Sequence, residues 1–341
     1  MLGSVGEGRR RLTAVAMSIV AVVVLFAACA PPPSDPGSPP TTTAPLPDPP
    51  GRFSVLTYNV AGLPQEISDE NPRRNIPRIS PLLNAYDVVL TQEDFDWWVP
   101  ALSLLDFANY HTRLRADAAH PYRTDRHPGP AAVGVNPNRR PLLVGDGIGI
   151  MSMYPLLDAR VWAWSDCFGG PLPPGAADCL AMKGFRVVTM VLGDDHLVDV
   201  YSLHAEAGAT RRDQDLQYDN FRELAEFIES HSGGRAVIVG GDTNLHLGDH
   251  PDGWDGEDAV IWADFLARTG LADVCTELDC DEPHSIDKFA YRSGGGVDLV
   301  ATSIDFPRDR FRDEVGRPLS DHPPVVATFD WDAAGGGGDA D

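Results

Sequence analysis

The chain of 341 residues carries 43% hydrophobic residues and a formal net charge of −23, and it shows no internal repeat. This composition excludes a disordered chain and a repeat protein, and it predicts one large domain with an apolar core and an acidic surface. The charge also argues against binding to nucleic acid or anionic lipid through a basic face, although a bound divalent cation and a few local arginines can still serve a phosphate substrate.

The N-terminus predicts export. Three arginines at positions 9–11 precede the apolar run "AVAMSIVAVVVLFAAC", which is short for a membrane span and ends in small residues before Cys29. We predict a signal peptide of the lipoprotein type over residues 1–29, with lipidation of Cys29 as a membrane anchor. Simple cleavage near Ala28 or Ala30 is the alternative. Either route delivers a cell-surface lipoprotein or a secreted protein.

Composition also sets the limits of the folded domain. Residues 30–52 are rich in Pro, Thr and Ser and cannot bury a core, so they predict an extended linker. The Gly-rich residues 333–341 predict a flexible tail. Between these segments we expect residues 53–332 to form one catalytic domain that acts as a monomer.

Four of the five cysteines remain once Cys29 is assigned to the leader. Cys167 and Cys179 bracket a Gly/Pro-rich loop, and Cys275 and Cys280 bracket "TELD". Two local disulfides are the simplest of the three connectivities, and they agree with export. A zinc site is the competing interpretation, but neither pair has the short CxxC spacing that such sites favour.

Strand-like runs recur along the domain, and two amphipathic helices lie between them. The helices are predicted over residues 211–230 and over "EDAVIWADFLARTG", which ends in Gly270. This pattern favours two packed sheets covered by helices. The predicted strands are "FSVLTYN", "YDVVLTQED", "GIGIMSM", "FRVVTMVL", "LVDVYSLH", "AVIVGGDTN", "VDLVATS" and "PVVATFDW".

Polar side chains stand at the ends of several predicted strands. Each one alone is explained by a cap or a turn. Together they supply hard oxygen ligands for Mg²⁺ and two imidazoles for proton transfer, which are the components of metal-assisted phosphoryl transfer. The residues are Asn59, Glu93, His204, Asp242, Asn244, Asp321 and His322.

The order of the motifs is also informative. "TYNVAGLP", "LTQED", "GIGIMSMYPL", "YSLHAEAG", "VGGDTNLH" and "LSDHPPV" resemble the endonuclease/exonuclease/phosphatase superfamily, and within it the bacterial neutral sphingomyelinase-like branch. The resemblance extends from Phe53 to Trp331. It implies an α+β fold, a four-layer αββα sandwich with two mostly antiparallel sheets flanked by helices.

The resemblance implies a metal centre. Glu93 would be the principal ligand of Mg²⁺, or of Mn²⁺, with Asn59 beside it in contact with metal or phosphate. Asp321 would join the metal and hydrogen-bond network. Whether one or two ions bind is left open.

The resemblance also implies the reacting groups. Asp242 would hold or polarise the attacking water, and Asn244 would orient Asp242 and the phosphate. His322 would act as the general base. His204 would donate to a phosphate oxygen and stabilise the charge that develops there.

The family places an aspartate behind the general-base histidine, and two residues fit its pattern. "SIDKFAYRS" offers Asp287, and "VDLVATS" offers Asp298. We prefer Asp287, because "IDKFAYRSG" is the longer match and Asp298 then falls in the strand that follows. The helix after His204 also departs from the family pattern, with Gln217 where relatives often carry a basic residue.

The sequence therefore predicts an exported, Mg²⁺-dependent phosphoester hydrolase, and a phospholipid headgroup ester such as that of sphingomyelin is the first candidate substrate. Trp97, Trp98, Trp162 and Trp164 are candidates for an aromatic rim that enters a lipid interface, with ordinary packing as the alternative.

An extracellular endonuclease of the deoxyribonuclease type is the alternative function, and it requires a basic groove at the site. A surface adhesin with a relic site is disfavoured, because no expected catalytic position is missing. The arginines available for a basic groove are Arg113, Arg115, Arg123, Arg126, Arg139 and Arg140.

Overall fold

The computed structural model places the domain in detail, and the predicted signal peptide with Cys29 lies outside the described residues, as do most of the linker and the tail. Within the part it covers, none of the helices combines the length and the apolar character that a membrane span requires. The described residues are 49–63, 65, 68–96, 109–126, 144–170, 176–193, 196–208, 210–247 and 257–334.

Twelve described strands form two sheets of six, and each sheet is antiparallel except for one parallel pair. The first sheet has the spatial order β11 (Val297–Asp305), β12 (Val325–Ala333), β1 (Gly51–Asn59), β2 (Val88–Gln92), β4 (Gly149–Ser152) and β3 (Tyr122–Arg123). The second has the order β5 (Leu156–Ala163), β6 (Gly184–Gly193), β7 (His196–His204), β8 (Ala236–Asp242), β10 (Asp287–Arg292) and β9 (Ala272–Asp273).

Five described helices accompany the sheets: α1 (Pro72–Leu82), α2 (Tyr110–Leu114), α3 (Arg211–His231), α4 (Asp258–Thr269) and α5 (Val274–Leu278). Three buried apolar clusters separate the layers. One lies between the sheets, one joins the first sheet to α1 and α2, and one joins the second sheet to α3 and α4. Three apolar interfaces define four layers, so the predicted α+β sandwich is confirmed.

Local sequence signals explain the two helices that were predicted. The side chain of Thr210 accepts from the backbone of Asp213, whose carboxylate accepts from the backbone of Thr210, and this capping box starts α3. Gly270 follows α4 with a φ of 67°, a left-handed conformation that glycine adopts readily.

Other elements gave no such signal. Strand β5 is exposed along most of its length, so its sequence has no regular alternation of apolar and polar residues that would predict a strand. Helix α1 contains Pro77 and Pro81, which normally interrupt a helix, although Ile76 and Ile79 bury one of its faces. The helix was therefore not predicted.

Both predicted disulfides are present. Cys167 is bonded to Cys179 with their Cα atoms 5.3 Å apart, and Cys275 is bonded to Cys280 with a Cα separation of 4.9 Å. With all four cysteines paired, the zinc interpretation is wrong.

A buried ion pair fixes the segment just after β2. Arg115 Nη1 lies 2.5 Å from Asp94 Oδ2, and the two side chains are 8% and 0% exposed. Burial raises the pKa of Asp94, but the positive charge of Arg115 and the neighbouring His111 lower it by more, so the carboxylate remains ionised. The pair therefore anchors the backbone on one side of Glu93.

Replacing Arg115 with Met keeps much of the volume and removes the cation. Because Asp94 would stay buried without a charged partner, we expect the free energy of unfolding to fall by about 3–5 kcal/mol at neutral pH. The folded-state pKa of Asp94 lies below its ordinary value of 3.8, so this stabilisation is present above that value and lost as the pH falls through the folded pKa. Urea unfolding at several pH values measures both effects.

Arg52→Met is the matched control, since Arg52 pairs with Asp330 at an exposed site. Equal destabilisation by the two substitutions at neutral pH would contradict a special role for the buried pair.

Candidate active site

The two parallel strand pairs determine where the site forms. Strands β1 and β2 run side by side, and Asn59 ends β1 while Glu93 directly follows β2. Strands β7 and β8 do the same in the second sheet, where His204 is paired with Asp242. In each parallel pair the carboxyl ends of both strands lie at the same end of the sheet. These ends of the two sheets lie next to each other, since Asn59 bonds to Asp242. Four of the predicted residues therefore come together.

Asn59 connects the two carboxylates. Its Nδ2 atom lies 3.1 Å from Glu93 Oε1 and 3.0 Å from Asp242 Oδ2, and it donates to both. Its Oδ1 atom accepts from the backbone N–H of Ala61 at 3.0 Å. In this arrangement Asn59 positions the carboxylates, and its Oδ1 atom keeps a second lone pair beside the bond from Ala61.

The backbone conformation at Glu93 is uncommon. Glu93 has a φ of 58°, in the left-handed region that L-residues rarely adopt outside functional sites. Two glycines permit this conformation, because a Cβ on Gly62 would lie 2.1 Å from the carbonyl oxygen of Glu93, and one on Gly147 would lie 3.1 Å from its Cα. The carboxylate of Glu93 is thus aimed into the site by tight backbone packing.

The site contains a histidine–aspartate pair. His322 Nδ1 lies 2.8 Å from Asp287 Oδ2, and β10 places Asp287 opposite Asp242 of β8. On the other side of the ring, Nε2 is 3.8 Å from Asp242 Oδ2 and 3.4 Å from Asn59 Nδ2. Asp298 is exposed in β11, where it pairs with Asp332 at the sheet edge. The structure therefore places Asp287, and not Asp298, beside the imidazole.

The two histidines have opposite electrostatic environments. Burial lowers the pKa of His322, but the carboxylates of Asp287 and Asp242 raise it by more, and the pKa lies well above its ordinary value. Burial and the nearby Lys183 hold the pKa of His204 well below its ordinary value. His204 is thus neutral, with Nε2 3.3 Å from Asp242 Oδ2. Such a separation of pKa values is typical of acid–base sites.

Asn244 supports Asp242 from behind. Its backbone N–H donates to Asp242 Oδ1 at 3.0 Å, and its side-chain Nδ2 donates to the carbonyl of Ala205 at 3.1 Å. Its φ of 51° is left-handed. Asn244 therefore orients the carboxylate of Asp242 through its backbone N–H, while its side chain bonds to the loop after β7.

Among the predicted metal ligands, Asp321 differs in that its side chain is exposed at the surface. Within the described part of the chain its carboxylate lies at hydrogen-bond distance only from Ser320 Oγ, at 3.3 Å. The hydroxyl of Ser320 makes its shorter bond to the carbonyl of Asn59, at 2.7 Å, and accepts from the backbone of His322 at 3.2 Å. Ser320 lies within the "LSDHPPV" motif but was given no role of its own, because its contact with the end of β1 is visible only in the structure.

Lys183 is a second residue that the sequence did not reveal. It is 6% exposed, precedes β6, forms an ion pair with Asp178 and donates to the carbonyl of Ala205 at 3.4 Å. Burial lowers its pKa, but Asp178 raises it by more, so the side chain remains an ammonium group. Its charge lowers the pKa of both Glu93 and Asp242. Lys183 belongs to none of the sequence motifs, so a single lysine before an apolar strand did not indicate a role in the site.

The donor set fits a divalent cation. Ligand atoms of Asp242, Asp287 and His322 lie within 4.8 Å of one another, and Glu93 stands beside Asp242 across Asn59. Burial raises the pKa of Glu93 and of Asp287, as expected when carboxylates crowd together away from water. Hard carboxylate oxygens in this arrangement are the ligands that Mg²⁺ prefers.

Comparison with known proteins finds relatives that cover most of this chain. The chain is 31% identical over 299 residues to sphingomyelinases of Mycobacterium tuberculosis and Mycobacterium bovis, which covers 82% of this chain and 53% of theirs. The chain thus spans about half the length of these relatives.

Two solved structures share the fold. A sphingomyelinase C from Streptomyces griseocarneus is 19% identical with a TM-score of 0.54, over 82% of this chain and 99% of that one. A beta toxin variant from Staphylococcus aureus, with bound magnesium ions, is 17% identical with a TM-score of 0.55, over 81% and 99%. The profile of the Endonuclease/Exonuclease/phosphatase family matches residues 56–322. The chain therefore belongs to the endonuclease/exonuclease/phosphatase family.

Proposed function

We propose that this protein is an exported, Mg²⁺-dependent phosphodiesterase that hydrolyses the headgroup ester of a phospholipid, in the manner of a sphingomyelinase C. One observation carries the proposal. The ring of His322 is held by Asp287 on one side and faces Asp242 and Asn59 on the other. This geometry suits a base that takes a proton from a water molecule in front of a phosphorus atom.

The reaction divides among the residues as follows. His322 accepts the proton of the attacking water through Nε2, while Asp287 holds the opposite nitrogen and stabilises the imidazolium ion that forms. Asp242 holds the water beside Nε2. The neutral His204 donates its N–H to a phosphate oxygen and stabilises the charge that develops there. The new P–O bond forms as the P–O bond to the lipid oxygen breaks, and that oxygen takes a proton from water as the lipid alcohol leaves.

Glu93 is the residue that would hold the cation, with Asp242 next to it. A bound Mg²⁺ ion would neutralise phosphate oxygens, reduce the repulsion among the carboxylates and lower the pKa of His322 by its charge. Asn59 keeps the two carboxylates at a fixed separation. The exposed Asp321 would join this network from the rim.

The alternative nuclease function finds less support. Arg115 is buried against Asp94, and Arg123 donates to three backbone carbonyl groups, so neither lies in a basic groove. Residues 139 and 140 lie outside the described part of the chain. The identity to mycobacterial sphingomyelinases supports a lipid substrate instead.

The aromatic rim is smaller than predicted. Trp164 is 1% exposed and donates to the carbonyl of His204, so its assignment to the rim is wrong. Trp162 is 45% exposed and remains a candidate for lipid contact. Trp97 and Trp98 lie outside the described residues. Two disulfides support export, and anchoring through Cys29 and the monomeric state are part of the same proposal.

A substrate panel with controlled metal tests the proposal. We expect turnover of sphingomyelin in Mg²⁺, with far slower cleavage of plasmid DNA and of inositol phosphates. Excess chelator should abolish the activity, and added Mg²⁺ or Mn²⁺ should restore it. Full activity in excess chelator would contradict the metal-dependent reaction, and preferential cleavage of DNA would favour the nuclease.

The histidine–aspartate pair gives a second prediction. His322→Ala should lower kcat by on the order of a hundredfold to ten-thousandfold, the usual contribution of a positioned base. Asp287→Asn should reproduce part of this loss, because the imidazole loses its acceptor. Asp298→Asn is the matched control and should leave kcat within about twofold, since its side chain is exposed in β11. Steady-state kinetics on sphingomyelin measure all three, and near-normal turnover by His322→Ala would exclude it as the base.

A further inference from the structure

We propose, on the basis of the proposed phosphodiesterase activity, that Gln217 is a positioning residue that sets the orientation of Asp242. Gln217 lies on α3, a helix that carries none of the predicted catalytic groups. Its side chain is 3% exposed and points at the two loops that follow β7 and β8. Gln217 thus acts on the reaction through these loops and touches no substrate.

The amide of Gln217 ties the two loops together. Its Nε2 atom donates to the carbonyl of Glu206 at 3.1 Å and to the carbonyl of Asn244 at 3.2 Å. Glu206 comes two residues after His204, and Asn244 comes two residues after Asp242. One side chain therefore bonds to both segments that present a histidine and a carboxylate to the site, in addition to the bond between Asn244 Nδ2 and the carbonyl of Ala205.

A short series of bonds leads from Gln217 to Asp242. The carbonyl of Asn244 is held by Gln217, and the N–H of the same residue donates to Asp242 Oδ1 at 3.0 Å. Because Asn244 has a left-handed φ of 51°, its conformation depends on the bonds on both sides of it. Release of its carbonyl would let the peptide relax, and the carboxylate of Asp242 would then turn away from Asn59 and His204.

Helix α3 is a suitable support for this contact. The capping box at Thr210 fixes its start, and Phe221 and Leu224 are buried in the apolar cluster against the second sheet. A side chain on such a helix is held more rigidly than one on a loop, so it can position a neighbouring loop accurately. Loss of the amide would leave two carbonyls to find other partners away from bulk water.

The test compares Gln217 with a second buried glutamine of the same helix. Gln214 donates through Nε2 to Asp258 Oδ1 at 3.0 Å and bonds to neither loop carbonyl. Gln217→Met keeps the length of the side chain and removes both N–H donors. Gln217→Glu keeps the shape and also lacks the donors when ionised, so it serves if the Met variant does not fold. Gln214→Met is the matched control.

We expect kcat for sphingomyelin to fall about ten- to a hundredfold in either Gln217 variant, the size of effect that a small misplacement of a reacting group produces. The KM for sphingomyelin should stay within about twofold, because Gln217 touches no substrate. Gln214→Met should lose thermal stability to a similar extent and keep kcat within about twofold.

The outcomes separate this inference from the proposed function. If the wild-type protein turns over no phosphoester, the proposed function fails and the inference fails with it. If the wild type is active and the Gln217 variants keep its kcat, only the positioning role is overturned. An equal loss of kcat in Gln214→Met would likewise overturn it, since the effect would then follow stability alone.

Discussion

The crowding of carboxylates at one place is the constraint on which the structure depends. Glu93, Asp242 and Asp287 converge where the two sheets face each other, and burial raises the free energy of keeping them ionised side by side. Asn59 bonds to the first two, and His322 bonds to the third. The cluster presents several hard carboxylate oxygens in one place, and these are the ligands that Mg²⁺ prefers.

The strand order of the two sheets brings these carboxylates together. Each sheet is antiparallel except for one parallel pair, and the carboxyl ends of the two pairs meet. Loops at those ends are then held by contacts from outside the sheets. Ser320 fixes the loop before β12 to the end of β1, and Gln217 ties the loops after β7 and β8. The sheets and helix α3 thus hold in place the short loops that form the site.

Much of this was predictable from the sequence. Apolar runs that end in Asn59, Glu93, His204 or Asp242 predicted the strands, and the resemblance of their motifs to the family predicted that these polar ends form a site. The longer motif match around Asp287 favoured it over Asp298 as the partner of His322, and the pairing of β10 with β8 places Asp287 beside that histidine.

Other features gave no local signal. The exposed strand β5 has no alternating pattern, and α1 contains two prolines. The buried Lys183 stands alone in the sequence, so only its position in space reveals its link to the site. Contacts that join distant segments are the part that a single sequence conceals.

Asn59 bonds to both Glu93 and Asp242, so the two carboxylates should act as one unit, and a double-mutant cycle measures this coupling. Glu93→Gln, Asp242→Asn and the double variant are compared by kcat/KM on sphingomyelin at saturating Mg²⁺. We expect strong non-additivity, with each single variant losing nearly as much as the double variant, on the order of a thousandfold. If the two single losses in kcat/KM multiply to give the loss of the double variant, the two carboxylates act separately and are not coupled through Asn59.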